Sequence, residues 1–570
     1  MDNDFQAMTN VPMPGKPAAV DLNWLVLAML VIFSAHLPFA LFQSEFQDGW
    51  IHALLYEQGA YGEIFKRLMD NGRPVAGWLN LHAMTVTGFA HGAIWLAVLG
   101  AVIAGAAWYM TFMRTGSISP RLAFAMAVLS AVTPANQIIL STPTVIFVSA
   151  HAFFALGMWL FVEAHLRPRT AFGMAAYLLA CIFGTLSALL GEATAPMLVL
   201  YPMVTLLIDG TLAPGIAVNW RHIGVKLIKR SAPFVIGAGA FAAMFVMFPP
   251  IGAEMVSERR LSFHPLQLML SLATFLVTIF MAWLPLWFAI AWMQIKSKSR
   301  ASHQSSSLDH RRYFFLLLTI STAVFTLSPY IAALRLASPA GWGLRYLYYF
   351  GSAPAWLLAY LASSRERDGR ISVTRPVAGW LTLAVVAGLL LRWPFFAVRT
   401  VHEDMVVQAV SASPLASQTK VILVDDKTDV IAAPLRDVEW TGLLQRALSK
   451  PQSVVAIASP QEPESTWTRW RFQLRQRMGW APAAQPVLTQ DYMRVHIRGL
   501  QGHAMVGRIE GVCDVSQVNV AEPSSSWFVR ALGWYFRSAW DPDAFRQWQK
   551  NQAADRITIE KMPLPLDPCM

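Results

Sequence analysis

From Leu22 to Phe42 the chain is apolar at almost every position, and comparable runs return near 88–112, 121–141, 144–164, 171–190, 194–208, 231–249, 266–292, 313–330, 344–362 and 376–393. A helix needs roughly 20 apolar residues to cross a bilayer, so the pattern predicts about eleven transmembrane helices. The segment 43–87 between the first two runs is different. Tyr61, Ile64, Phe65, Leu68 and Met69 fall at helical spacing, a single apolar stripe on a helix that would lie flat on the membrane. Asn71-Gly72 then supplies a turn and Pro74 a helix start. The apolar stretch 74–113 is about twice one span, so its first part reads as a second interfacial helix. From about residue 399 no run reaches spanning length. VILVDD (421–426), SVVAIAS (453–459), YMRVHIR (492–498) and AMVGRIE (504–510) predict strands, and EWTGLLQRAL (439–448) predicts an amphipathic helix. The reading is therefore a polytopic α-helical domain over 1–398, with a first outer loop at 43–87, and a small α/β domain over 399–570.

Composition agrees. The 570 residues are 55% hydrophobic and 14% charged, too apolar for a soluble chain. The formal charge of +11 does not indicate nucleic acid, because the basic residues are scattered through the connectors rather than gathered into a patch. Placing the N-terminus inside puts eighteen Lys and Arg on inner segments against seven outside, so the positive-inside rule sets an N-in, C-out orientation. MDNDFQAMTN has no basic region and no small-residue cleavage site follows it, which makes the first span an uncleaved anchor. KSKSRASHQSSS (296–307) reads as a flexible inner connector. Cys181 lies inside a span; Cys513 and Cys569 fall on the outer side, where they either pair or stay as thiols. Asp425 and Asp426, closing VILVDD, read as caps of the next turn because no glycine-rich loop accompanies them.

The candidate chemistry begins at QSEFQDGW, which places Glu45 and Asp48 at a membrane surface directly after the first span, with DNGRPVAGW about 30 residues on. An acidic loop of that length commonly carries function. An N-in first span, outer acidic residues at the start of a long loop, two interfacial helices and a terminal extracytoplasmic domain together resemble the GT-C glycosyltransferases, in particular bacterial envelope enzymes with a QDGW…NGRP pattern. The resemblance implies sugar transfer on the outer face of the bacterial inner membrane, from a polyprenyl-phosphate-linked donor to an envelope glycan, lipid or protein. It also implies that a carboxylate of the first outer loop acts as base or positions the acceptor. Many such enzymes have two adjacent acids where this chain has Gln47-Asp48, which leaves open whether Glu45 or Asp48 is the main carboxylate.

Inverting transfer from a lipid phosphate needs a base for the acceptor hydroxyl and cations for the departing phosphate. Asp48 serves as base, or as the N-cap of a helix over 49–58. Glu45 shares that site, where a divalent cation is also compatible. Glu192, in SALLGEATAP at the end of the fifth span, either faces substrate or caps the helix that follows. Arg259, Arg260, Arg335 and Arg345 are the phosphate candidates, since a guanidinium offers a bidentate fork. Tyr346 stands beside Arg345 in GWGLRYLYY. Lipid headgroups would also satisfy these arginines, and the tyrosines fit an interfacial belt. His52, His82, His91 and His151 lack close ligand spacing, so no zinc site is expected. Two other readings use the same features: a flippase of lipid-linked saccharides, which calls for internal repeats and midplane polar groups, and a polysaccharide polymerase or ligase.

Overall fold

The computed structural model describes residues 20–41, 52, 56, 59, 61–70, 72–87, 92–136, 145–208, 220–249, 265–298, 310–333, 335, 337, 342–363, 366–367, 370–391, 393–414, 421–426, 440, 443–444, 448, 455–458, 493–497, 500–504, 515–520 and 526–561. The protein is a mainly helical, multi-pass membrane protein. Its helices are α1 Leu22–Ala40, α2 Tyr61–Asp70, α3 Pro74–Thr87, α4 Gly92–Arg114, α5 Pro120–Ala131, α6 Val145–Leu166 and α7 Ala171–Leu190. Two short helices, α8 Thr194–Met197 and α9 Leu200–Thr205, precede α10 Trp220–Lys229, α11 Ala232–Met247, α12 Pro265–Ala282, α13 Leu284–Lys298 and α14 His310–Ala332. A 3-10 helix, Trp342–Gly351, leads into α15 Ser352–Ala362; the two-residue strands β1 Glu366–Arg367 and β2 Arg370–Ile371 follow, then α16 Arg375–Leu390 and α17 Trp393–Ala412.

Among the described residues, seven helices are long and apolar enough to cross a membrane, and an eighth span results if α10 and α11, bent by 55°, count as one. The difference from the expected eleven has local causes. The run 266–292 still yields one span, α12, from which α13 is divided at Trp283 because Pro285 lacks an N–H; the run 344–362 is a 3-10 helix joined to the 11-residue α15 and is not among the seven. In the run 121–141 the α-helix ends at Ala131, where Pro134 biases Thr133 away from helical backbone, and residues 137–141 lie outside the described residues. The run 194–208 is the α8–α9 pair, enclosed nearly all round: Met197, Leu198, Leu200, Tyr201, Val204 and Leu206 are buried. At about 1.5 Å per residue such a stretch falls short of the hydrocarbon thickness, and its all-round apolarity serves an interior position.

Helices stand at both positions expected to be interfacial. α2 ends in a Schellman turn, with the Arg73 amide donating to the Leu68 carbonyl at 2.9 Å and the Gly72 amide to that of Met69 at 2.8 Å. Gly72 takes the positive φ of 69° that this turn requires. Pro74 then opens α3 at once, and α2 and α3 cross so closely that a Cβ on Gly77 would stand 3.0 Å from the Phe65 carbonyl oxygen.

Two ends of the bundle can be told apart. At the hairpin end lie α2, α3, the end of α1 and the end of α7; at the opposite end the Tyr109 hydroxyl donates to the Asp21 carbonyl at 3.1 Å and β2 joins Ser117 and Ser119. α6 is the most enclosed of the spans. Its Gly157 admits Tyr201, whose hydroxyl donates to the Phe154 carbonyl at 2.7 Å and occupies the space a Cβ would need. Gly157→Val is accordingly expected to displace Tyr201 and lower the thermal midpoint of the solubilised protein by the equivalent of about 1–3 kcal/mol; an unchanged midpoint would contradict this packing.

Toward the C-terminus, strands β3 Val421–Asp426, β4 Val455–Ala458, β7 Val515–Val520 and β8 Ile557–Lys561 form one sheet in the order β4-β3-β7-β8. β3 is parallel to β4 and β7, and β8 is antiparallel to β7. β5 Met493–Ile497 and β6 Leu500–Ala504 make a separate hairpin. The expected strand at 504–510 lies, beyond Ala504, outside the described residues; the described strand is Leu500–Ala504, opposite Met493–Ile497. Asp425 and Asp426 are ladder residues, opposite Asn519 and Val520. Helices α18 Trp527–Arg537 and α19 Pro542–Arg556 flank the sheet, and Val398, Val401, Met405, Ile422, Val424, Trp440 and Trp527 share a core. α17 runs through the expected 398/399 division. Cys181 is buried and free; Cys513 and Cys569 lie outside the described residues.

Candidate functional site at the hairpin end

The Schellman turn and Pro74 leave Arg73 little choice of direction. Its Nη2 donates to Glu192 Oε1, joining residues 119 positions apart, and both side chains are about 28% exposed. Glu192 is held by the end of α7. The Gly191 amide donates to the Ser187 carbonyl at 2.9 Å, while Thr194 Oγ1 donates to the carbonyls of Ser187 and Gly191 at 2.6 and 2.7 Å. Ser187 Oγ in turn donates to the Ala150 carbonyl of α6 at 2.8 Å. A carboxylate at the edge of a membrane bundle is thus fixed by hydrogen bonds on one side and a guanidinium on the other. Glu192 raises the Arg73 pKa further above its ordinary value, so Arg73 carries its charge at every pH the protein meets.

Arg335 and Tyr330 stand close enough to Arg73 to act on its charge, Arg335 opposing it. Arg335 follows α14; its amide donates to the Tyr330 carbonyl at 2.8 Å and its carbonyl accepts from Ser271 Oγ of α12 at 2.7 Å. Tyr346 packs against Tyr330, ring centroids 5.0 Å apart, and against Phe275 at 6.4 Å. Behind Glu192 lies Tyr349: a Cβ on Gly191 would stand 2.7 Å from its hydroxyl. Tyr348 and Tyr349 are buried, and among the described residues neither hydroxyl has a hydrogen-bond partner. Both rings meet His151 edge-on at 5.8 and 6.1 Å, and His151 Nε2 accepts from Trp108 Nε1 at 3.0 Å. Asn80 on α3 is also fully buried, with neither amide atom partnered among the described residues.

Of the residues expected from sequence, Glu192, Arg335 and Tyr346 are therefore brought to one end of the bundle. Arg345 belongs to the 3-10 helix with Tyr346, but its side chain is outside what the structure describes. Glu45, Asp48, Arg259 and Arg260 lie outside the described residues. Among the described residues no group of three or more His, Cys, Asp or Glu could hold a metal. The sequence reading missed Arg73, Tyr330 and Tyr349. Arg73 sits in the NGRP segment that reasoning did single out, yet there it counted only as an outer charge, and a pairing over 119 residues leaves no local trace.

The site combines two guanidiniums, a carboxylate and several phenols near the membrane boundary. That set can hold an anionic headgroup and orient a hydroxyl-bearing partner, because each guanidinium carries five N–H donors. Lower on the bundle, an apolar groove of about 400 Å³ runs between α1 and α4, lined by Val26, Leu30, Phe33, Trp95, Val98 and Leu99 among others.

No family model matches the chain, and no curated protein sequence matches it. Among solved structures it is similar to an oligosaccharyltransferase of Archaeoglobus fulgidus crystallised with zinc and sulfate, at 13% identity and a TM-score of 0.35 over 77% of this chain and 62% of that one. The same oligosaccharyltransferase in its apo form gives 12% identity and a TM-score of 0.36, over 78% and 65% of the two chains. This chain spans less than two thirds of the length of those structures. It is also similar to ArnT from Cupriavidus metallidurans bound to undecaprenyl phosphate, at 14% identity and a TM-score of 0.37, covering 86% of this chain and 99% of that one.

Proposed function

We propose that the protein is a membrane glycosyltransferase of the GT-C type. It takes a sugar from a polyprenyl-phosphate-linked donor and passes it to a cell-envelope glycan, lipid or protein at the outer face of the bacterial inner membrane. In this reading the N-terminus is cytoplasmic, the hairpin end faces outward, and residues 399–570 form an extracytoplasmic domain. The observation that carries the proposal is the Arg73–Glu192 pair with Arg335 beside it, where α3, α7 and α14 converge. In this reading the arginines emerge from the bundle at the boundary between hydrocarbon and water, where a lipid phosphate lies.

The reaction breaks the bond between the anomeric carbon and the phosphate oxygen while the acceptor hydroxyl attacks and loses its proton. Asp48, with Glu45 as neighbour, takes that proton. Arg335 and Arg73 neutralise the phosphate as it departs, joined by Arg259, Arg260 and Arg345. Glu192 holds Arg73 in place, and Tyr346 walls the headgroup site. The apolar groove between α1 and α4 suits part of an isoprenoid chain. A divalent cation at Glu45 and Asp48 is not needed for these steps. Flippase action calls for polar groups near the bilayer midplane, whereas this charged cluster sits at one end of the bundle.

The test is transfer by the purified protein in nanodiscs, with polyprenyl-phosphate sugars varied in concentration. Arg335→Ala is expected to raise KM for the donor by about 10- to 100-fold, the loss of one or two charge-assisted hydrogen bonds. An unchanged KM in a folded variant would remove Arg335 from the donor site.

A further inference from the structure

Helix α18 presents two unlike faces. Trp527 and Ala531 are buried, and Trp534 stacks on Trp548 of α19 with ring centroids 5.5 Å apart. Burial also pushes the Tyr535 phenol up to about 12. On the opposite side Val529, Gly533, Phe536 and Trp540 follow helical spacing in one stripe. Val529 is 71%, Phe536 48% and Trp540 72% exposed, and a Cβ on Gly533 would meet nothing within 4 Å. Arg530 and Arg537 occupy one flank of that stripe.

The depth of this helix is set by its neighbours. Trp393 comes two residues after Leu391, the C-cap of α16, and its Nε1 donates to the Pro38 carbonyl near the end of α1 at 3.2 Å. Trp393 therefore marks the level at which two spans terminate. The same ring packs on Tyr535 at 5.5 Å and Phe536 at 5.2 Å, and Phe395 packs on Phe528 at 5.4 Å. Leu41 and Leu391, at the ends of those spans, are more than 60% exposed, and Phe395 is 46% exposed. An apolar stripe pinned beside two span ends, with basic residues on its rim and aromatic residues within it, has the composition of a helix lying in the bilayer interface.

The geometry points to α18 as a membrane-surface helix: its Val529–Gly533–Phe536 stripe, continued by Trp540 in the turn that follows, is covered by lipid, anchoring the segment after the last span to the bilayer. This inference does not depend on the proposed catalytic activity. It is tested on the full chain in lipid nanodiscs by nitroxide labelling of Val529→Cys, after replacing Cys181, Cys513 and Cys569. Asp543→Cys on α19, where the native side chain is 92% exposed, serves as the water-facing control. The Val529 label is expected to collide severalfold more with oxygen relative to a water-soluble nickel chelate than the Asp543 label does. A Val529 label that behaves like the control would overturn the proposal. So would one that is immobilised and shielded from both reagents, which would place a protein partner or a second copy on the stripe. Phe536→Cys gives the same readout should Val529→Cys fail to assemble.

Discussion

Replacing Arg73 with alanine is expected to lower glycosyl transfer by about 100- to 1000-fold, equivalent to about 2.7–4 kcal/mol at the transition state. The variant removes one cation from the donor side and takes from Glu192 the guanidinium it pairs with, leaving a carboxylate charge that repels an incoming phosphate. The stability change should be smaller, because both side chains are about 28% exposed and water reaches the carboxylate. A charge exchange separates the two effects. Arg73→Glu combined with Glu192→Arg restores an ion pair and should recover the thermal midpoint, yet it moves the cation onto α7 and should leave transfer low. Recovery of full activity by the exchange would mean that the pair matters only for folding.

Glu163→Ala is expected to cost about 3–5 kcal/mol of stability, the usual penalty for stranding one partner of a buried pair. Glu163 is 2% exposed near the C-terminal end of α6, where Oε1 accepts from Arg114 Nε at 2.5 Å and Oε2 lies 3.8 Å from Arg167 Nη2. Removing it takes from the Arg114 guanidinium, 18% exposed, the carboxylate that neutralises it. This pair sits at the opposite end of the bundle from Glu192, so activity per folded molecule should be kept. The measurement is thermal unfolding of the solubilised protein alongside transfer normalised to folded fraction. Glu163→Gln should fall between wild type and Glu163→Ala, since it keeps the shape and one hydrogen bond. An unchanged midpoint in Glu163→Ala would contradict the assignment.

The membrane class was legible because a 20-residue apolar requirement leaves a strong local mark. The α2–α3 hairpin was legible for a related reason: its stripe, its Asn71-Gly72 turn and its Pro74 start are all encoded within 14 residues. Proline and burial decided the errors. Pro134 biases Thr133 away from helical backbone after α5, and α8–α9 is apolar because the interior surrounds it rather than because lipid does. At the site, Glu192 and Arg335 could be picked out because a charge beside a span is conspicuous. That Arg73 is the partner of Glu192, and that Tyr330 and Tyr349 close around them, depends on contacts between segments more than 100 residues apart. Local pattern does not carry that information.

The most direct test of the central claim is sugar transfer by purified protein in nanodiscs, supplied with a panel of polyprenyl-phosphate sugars, with wild type set against Asp48→Asn. Donor-dependent transfer or donor hydrolysis in the wild type, reduced by about 100-fold or more in the variant, is the expected result for loss of a general base. Full turnover by a folded Asp48→Asn protein would contradict the role of the loop carboxylate, and absence of turnover with every donor despite measurable lipid-saccharide binding would contradict the glycosyltransferase reading itself.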